Sequence, residues 1–255
     1  METVLEVFLN IIIFLIGASI FSFLNVVIYR VPRKLSFVSG RSMCPQCGKN
    51  LKAIDMIPIL NWIFLKGKCR FCKGKISIRY PLVELLGGIA AIASAYIYGY
   101  TLQTVLIFAF FGILTVTAFV DYDTMEIPNE FVVAALIIGV FAFFAFSDIS
   151  FLSRLAGGVC VSLPMLLITF LIPGAFGGGD IKLMAACGLF LGWQLTLLSF
   201  FLAVLGGGAY GGWLLITKKK GRKEHFAFGP FLCAGMAAAV FIGTPIINWY
   251  AGFLI

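Results

Sequence analysis

A chain of 255 residues that is 61% hydrophobic and 12% charged, with a mean hydropathy of +1.06, lies far from soluble domains, in which about a quarter of residues carry charge. This composition excludes an ordinary soluble globular domain and points to an all-α polytopic membrane protein. The formal charge of +8 would suit nucleic acid, but its distribution along the chain is accounted for by membrane topology, so no nucleic-acid partner is expected.

Residues 7–28 are apolar apart from Asn10, Ser19, Ser22 and Asn25, and at 1.5 Å per residue they are long enough to cross a hydrocarbon core of about 30 Å. Met1-Glu2 offers no positive n-region, and Arg30, Arg33 and Lys34 follow the run. A retained first span is therefore predicted, with its N-terminus outside and its C-terminal end cytoplasmic.

From residue 29 to 80 the chain carries twelve Lys or Arg against one acid, Asp55, with Pro32, Pro45 and Pro58 marking turns. Within this stretch Cys44-Pro45-Gln46-Cys47 and Cys69-Arg70-Phe71-Cys72 form two CxxC pairs separated by 21 residues. Four thiolates at that spacing suit tetrahedral zinc, each pair wrapping half of the coordination shell, and four protein ligands make the metal structural. An iron–sulfur centre has no electron-transfer logic here, and the cytoplasmic side disfavours disulfides. Residues 29–81 are thus expected to form a cytoplasmic zinc-binding loop subdomain whose folding depends on the metal.

Seven further spans follow, at 82–98, 101–120, 128–146, 151–172, 181–195, 196–216 and 228–247. Gly99-Tyr100 closes a tight hairpin, Pro173-Gly174 ends the fifth span, and Gly192-Trp193-Gln194 alone divides the sixth from the seventh. Counting eight transmembrane helices from an outside N-terminus puts the long basic loop and the knot Lys218-Lys219-Lys220-Gly221-Arg222-Lys223 inside. Of the 19 basic residues only Arg154 is then assigned to an outer-face loop. The chain is divided into a first helix (1–28), the zinc subdomain (29–81) and a seven-helix membrane domain (82–255).

The same count puts Asp121, after the third span, and Asp180, before the sixth, at one membrane face. A carboxylate at the edge of hydrocarbon needs a partner or a task. Two aspartates sharing a proton can hydrolyse a peptide bond without metal: one takes a proton from water while the other hydrogen-bonds the carbonyl oxygen. Gly177-Gly178-Gly179 would let the backbone turn sharply before Asp180 and let another segment approach. The plainer alternative makes Asp180 a helix N-cap and Asp121 an interfacial charge. Asp123 and Glu126 compete for the role, Glu84 is a candidate third pocket carboxylate, and Lys182 either holds a nearby negative charge or snorkels to the interface. Cys160, Cys187 and Cys233 read as core packing and His225 as an interfacial residue.

The combination of Gly177-Gly178-Gly179-Asp180-Ile181-Lys182, Asp121 with Ile127-Pro128, and Ser22-Phe23-Leu24-Asn25-Val26-Val27-Ile28-Tyr29-Arg30 resembles the bacterial type IV prepilin peptidases over nearly the whole chain. These are membrane aspartic proteases of the GxGD class. The resemblance implies that Asp121 and Asp180 are catalytic and that Asp123 is not essential. It also implies that the cysteine loop is the zinc domain of bifunctional members, which N-methylate the new N-terminus with S-adenosylmethionine. Arg79-Tyr80-Pro81-Leu82-Val83-Glu84 continues the family pattern and puts Glu84 near the methylation site, although no glycine-rich nucleotide loop is present to place the cofactor. The implied partners are type IV prepilin or pseudopilin substrates and membrane lipid, with cleavage after a glycine at the cytoplasmic face of the bacterial inner membrane. An ion-coupled transporter using Asp121 and Asp180, and a non-catalytic pilus assembly scaffold, are the alternatives.

Overall fold

The computed structural model describes residues 2–38, 40–217 and 226–253; the basic knot at 218–223 and His225 lie outside the described residues. The described secondary structure is helical: α1 (Glu2–Arg30), α2 (Leu60–Phe64), α3 (Arg79–Tyr98), α4 (Leu102–Thr124), α5 (Asn129–Ala145), α6 (Phe151–Cys160), α7 (Ser162–Leu171), α8 (Gly178–Leu191), α9 (Trp193–Ile216) and α10 (Gly229–Ala251). Two short 3-10 turns (Val31–Arg33, Ala53–Met56) and two isolated bridges complete it.

Every apolar run expected from the sequence is helical. Six stretches are long and apolar enough to cross a membrane: Val4–Arg33, Arg79–Tyr98, Leu102–Thr124, Phe151–Leu171, Trp193–Ile216 and Gly229–Ala251. The other two of the eight expected crossings fall on shorter helices, α5 with 17 residues and α8 with 14. At 1.5 Å per residue α8 rises only about 21 Å, short of a core of about 30 Å. The chain is an all-α polytopic membrane protein with several apolar helices. Large apolar side chains such as Phe8, Leu15, Phe23 and Phe144 remain exposed along them, a surface that suits lipid rather than water.

The chain divides into two compact units, Met1–Phe108 and Ala109–Ile255. In the first, α1 packs along α3, with Phe21 fully buried and its ring 5.5 Å from that of Phe108. Polar ties reinforce the pair where apolar contact cannot: the Asn25 amide donates to the Tyr80 carbonyl (3.2 Å). Gly99, with φ +66°, closes the turn from α3 into α4, as the sequence suggests.

The second unit is built around α8, which packs against α5 and α6 and buries Leu183, Met184, Ala186, Cys187, Phe190 and Leu191. Phe190 stacks on Phe110 with centroids 4.3 Å apart and meets Phe146 edge-on. The expected span at 151–172 is interrupted: Pro164 has no N–H to offer the Cys160 carbonyl four residues back, and α6 ends there before α7 resumes. Gly192, with φ +76°, provides the abrupt turn between α8 and α9.

Arg154 corrects the sequence reading. It is not in a loop but within α6, and it is fully buried, because its guanidinium turns inward to the carbonyl ends of two helices.

Helices α6 and α8 approach so closely that a Cβ on Gly188 would collide with the Gly157 carbonyl. Gly188→Val should therefore destabilise the protein by about 1–3 kcal/mol. Gly212→Ala, at a position with open space around it, should not. Thermal unfolding in detergent compares the two.

Candidate functional site

Asp121 and Asp180 both lie inside helices rather than beyond their ends as the sequence suggests. Asp121 is in the last turn of α4, and Asp180 is the third residue of α8, whose N-cap is Gly177. The alternative in which Asp180 is itself the cap does not hold. Its carboxylate instead reaches back to the Gly177 backbone N–H, half of a capping box. The glycines do not make a strained turn either: Gly177 is extended with φ −68°, and none of the three has a positive φ. Close approach is the reason at Gly179, where a Cβ would sit 2.9 Å from the Ile127 Cβ.

Both aspartates are buried, at 5% and 8% exposed, yet both line one cavity of about 330 Å³, with Gly177 to Gly179 on one wall and Met125, Glu126, Ile127 and Asn129 on the other. They are near enough for the charge of Asp121 to act on Asp180. Met125 takes the left-handed conformation (φ +55°) that ends α4, its N–H bonding the Asp121 carbonyl at 2.7 Å. That turn carries Glu126 and Ile127 into the cavity wall. Lys182 also lines the cavity and donates to Asn129 Oδ1 (3.2 Å), a neutral partner that neither of its two expected roles named. Asp123, two positions past the buried Asp121, is exposed and not among the lining residues.

The residue missed in the sequence is Gly229. As the first residue of α10 its N–H donates to Asp121 Oδ2 at 2.9 Å, and a Cβ there would stand 2.6 Å from the same oxygen, so any larger residue must push the carboxylate aside. The available signal was Gly229-Pro230 at the start of the last apolar run, a dipeptide that opens helices. Two helix N-termini, those of α8 and α10, thus meet the two carboxylates with free backbone N–H groups, an environment that stabilises negative charge. Asp180 Oδ1 is buried without a hydrogen-bond partner among the described residues, which leaves an acceptor or a proton carrier facing whatever enters the cavity.

In the first unit, Cys44, Cys47, Cys69 and Cys72 place their sulfurs within 4.8 Å of one another, and all are free thiols. Each pair sits on a matching knuckle. Cys44 N–H bonds the Lys49 carbonyl and Gly48 N–H the Cys44 carbonyl; Cys69 N–H bonds the Gly74 carbonyl and Lys73 N–H the Cys69 carbonyl. A tetrahedral zinc with Zn–S near 2.3 Å sets sulfurs about 3.8 Å apart. Cys44 and Cys72 sulfurs are 3.9 Å apart, so the cluster fits the ion. Backbone N–H groups of Cys72 and Phe71 on the Cys69 sulfur bring its thiol down to about 7, while burial and the neighbouring sulfurs push Cys72 up to about 11, so the four share their protons and Cys69 gives up its own first. The loop's lone acid is its strut: Asp55 pairs with Arg70 Nε at 2.6 Å and accepts from Lys52 N–H at 3.2 Å. Burial alone would raise the Asp55 carboxyl, but these partners outweigh it and hold it below its usual value.

Glu84 is engaged within the first unit. Its Oε1 accepts from Ser22 Oγ (2.6 Å) and its Oε2 from the N–H of Ile59 (2.7 Å), a residue held at φ +62°. Within the second unit, the further carboxylate lining the cavity beside the aspartates is Glu126, one of the competing acids the sequence offered. Cys187 and Cys233 are buried as expected, and Cys160 is half-buried.

Residues 15–98 match the Bacterial Peptidase A24 N-terminal domain and residues 107–212 the Type IV leader peptidase family. The chain is 33% identical over 239 residues to the prepilin leader peptidase/N-methyltransferase of Bacillus subtilis, covering 94% of this chain and 96% of that one. It is 31% identical to the proteins of the same name from Legionella pneumophila, with 96% of each chain covered, and from Burkholderia pseudomallei, with 90% and 84%. No solved structure matches it. The chain belongs to the type IV prepilin peptidase family.

Cys44→Ser should abolish metal binding, measured as metal per purified chain; a variant that keeps its full metal content would contradict a four-thiolate site. The Asp55 strut should be fully present above the ordinary carboxylate range, near pH 4, and lost as pH falls through the lowered value of the folded protein. Proteolytic nicking of the 29–81 loop in acid, compared with Asp55→Asn, measures it.

Proposed function

We propose that this chain removes the leader of type IV prepilins or pseudopilins by hydrolysing one peptide bond between Asp121 and Asp180, and N-methylates the new N-terminus in its first unit. The observation that carries the peptidase reading is a cavity lined by two buried aspartates, one tied to a helix N-terminus and the other with an oxygen left without a partner. Two carboxylates so placed hold one proton between them, because both cannot ionise at close range. The Gly229 N–H favours the charge on Asp121, which takes a proton from the attacking water. Asp180 then holds the shared proton and donates a hydrogen bond from its free oxygen to the scissile carbonyl. As the tetrahedral carbon collapses, the proton gained by Asp121 passes to the leaving amine.

The α8 and α10 N-termini add fixed positive ends to the site, and Glu126 gives the cavity wall an acid that would attract a basic leader. The topology that places this site in the cytoplasm is the eight-crossing one, with an outside N-terminus and the short helices α5 and α8 as the fourth and sixth crossings. It puts the cysteine subdomain on the same side of a bacterial inner membrane and follows the bias of Lys and Arg. The proposed functional division keeps a first helix (1–28), a zinc subdomain (29–81) and a peptidase domain (82–255).

Zinc on Cys44, Cys47, Cys69 and Cys72 would close the loop by cross-linking its two knuckles. S-adenosylmethionine would supply the methyl group. Glu84 is the residue proposed beside the methylated amine: with one hydrogen bond on each oxygen it retains lone pairs to orient that amine.

Asp121→Asn and Asp180→Asn should each abolish cleavage of a pilin precursor in detergent while the protein stays folded; normal cleavage by either variant would defeat the pairing. Gly229→Ala, which pushes on the Asp121 carboxylate, should lower kcat by roughly 10- to 100-fold. Wild-type kcat should be bell-shaped in pH, since one acid and one base are both required.

A further inference from the structure

An α-helix ends in backbone carbonyls that have no partner within the helix, and hydrocarbon holds no water to supply one. Two helices of the second unit, α5 and α8, end side by side in this way. Arg154 on α6 meets both. Its Nη1 donates to the carbonyls of Leu189 (3.1 Å) and Phe190 (3.0 Å) in the last turn of α8, and its Nη2 to the carbonyl of Phe146 (3.1 Å), the C-cap of α5. The guanidinium also lies over the Phe143 ring at 5.2 Å. Among the described residues no carboxylate comes within ion-pair distance of it. A buried cation with no carboxylate in contact is costly; Asp148 acts on it only at longer range, and the negative ends of two helix dipoles supply its direct partners.

The same two helices begin at the aspartate cavity. There Lys182 of α8 donates to Asn129, the first residue of α5, at 3.2 Å. The pair is therefore tied at both ends, by Lys182 at the cavity and by Arg154 at the opposite end. A helix transmits displacement along its length: a slip of one residue is 1.5 Å of rise and about 100° of rotation wherever along the rod it is read. Asp180 rides on this rod as its third residue.

We propose that Arg154 is a positioning residue of the peptidase: by joining the carbonyl ends of α5 and α8 it fixes the register of α8 and so holds Asp180 opposite Asp121. This rests on the reading of Asp121 and Asp180 as the reacting pair. Arg154 touches neither carboxylate; it acts through the helix.

The test uses the full chain in detergent and a pilin precursor, with kcat and KM referred to the folded fraction measured by thermal unfolding. Arg154→Met keeps the length and loses every donor; kcat should fall roughly 100-fold with KM within about twofold of wild type. Arg154→Lys keeps the charge, but one ammonium cannot span both helix ends, so it too should lose kcat, by less. Folded variants that cleave at the wild-type kcat would overturn the proposal, as would a loss that vanishes once rates are divided by the folded fraction. If the Met variant does not fold, the Lys variant decides by the same two criteria. Failure of the wild-type chain to cleave would defeat the aspartate reading; wild-type cleavage matched by both variants would defeat only the role of Arg154.

Discussion

Backbone and side-chain polar groups in a membrane protein must find partners inside the protein, and the second unit is arranged by that requirement. Free N–H groups at the starts of α8 and α10 face the carboxylates of Asp180 and Asp121, and free carbonyls at the ends of α8 and α5 face the guanidinium of Arg154. One short helix thus has an anionic pair at one end and a cation at the other. Asp180 and Arg154 are matched to the sign of the dipole ends they meet, and Asp121, in the last turn of α4, is offset by the N-terminus of α10. The close packing of α6 on α8 through Gly157 and Gly188 follows from the same arrangement, because Arg154 reaches both carbonyl ends only from a helix pressed against them.

The first unit is built by different chemistry. Its loop is basic and poor in large buried side chains, and four clustered sulfurs together with the Asp55–Arg70 pair do what an apolar core does elsewhere. Ser22, Ile59 and Glu84 tie that loop to α1 and α3. The two units are therefore held by separate chemistry: clustered sulfurs and one ion pair in the loop, helix-end partners around the aspartates. A transporter would place its charges in broken helices near the midplane. In this chain the two acids sit in the terminal turns of continuous helices.

Much of this was legible in the sequence because composition and spacing are local signals. Apolar runs became helices, the CxxC pairs became a cluster of four sulfurs, and topology alone put Asp121 level with Asp180. What escaped were partners that leave no mark on a residue's own neighbourhood. Gly229 lies 108 residues from Asp121 and contributes a backbone N–H, a group every non-proline residue carries. Arg154 reads as a charge in an outer-face loop, since nothing in the adjacent sequence reveals the carbonyls of Leu189 and Phe190 that draw it inward. The end of α8 was blurred for a related reason: apolar residues continue past Gly192, where the helix stops.

The central claim is that Asp121 and Asp180 act on one peptide carbonyl. The measurement closest to it is a structure of the protein bound to a peptide analogue of a pilin precursor, with a hydroxyl in place of the scissile carbonyl. The account predicts both carboxylates within hydrogen-bonding reach of that hydroxyl, about 2.6–3.2 Å. An analogue seated away from the cavity, or held by one aspartate with the other beyond about 7 Å, would contradict it, since a group that far cannot share a proton with the reacting centre.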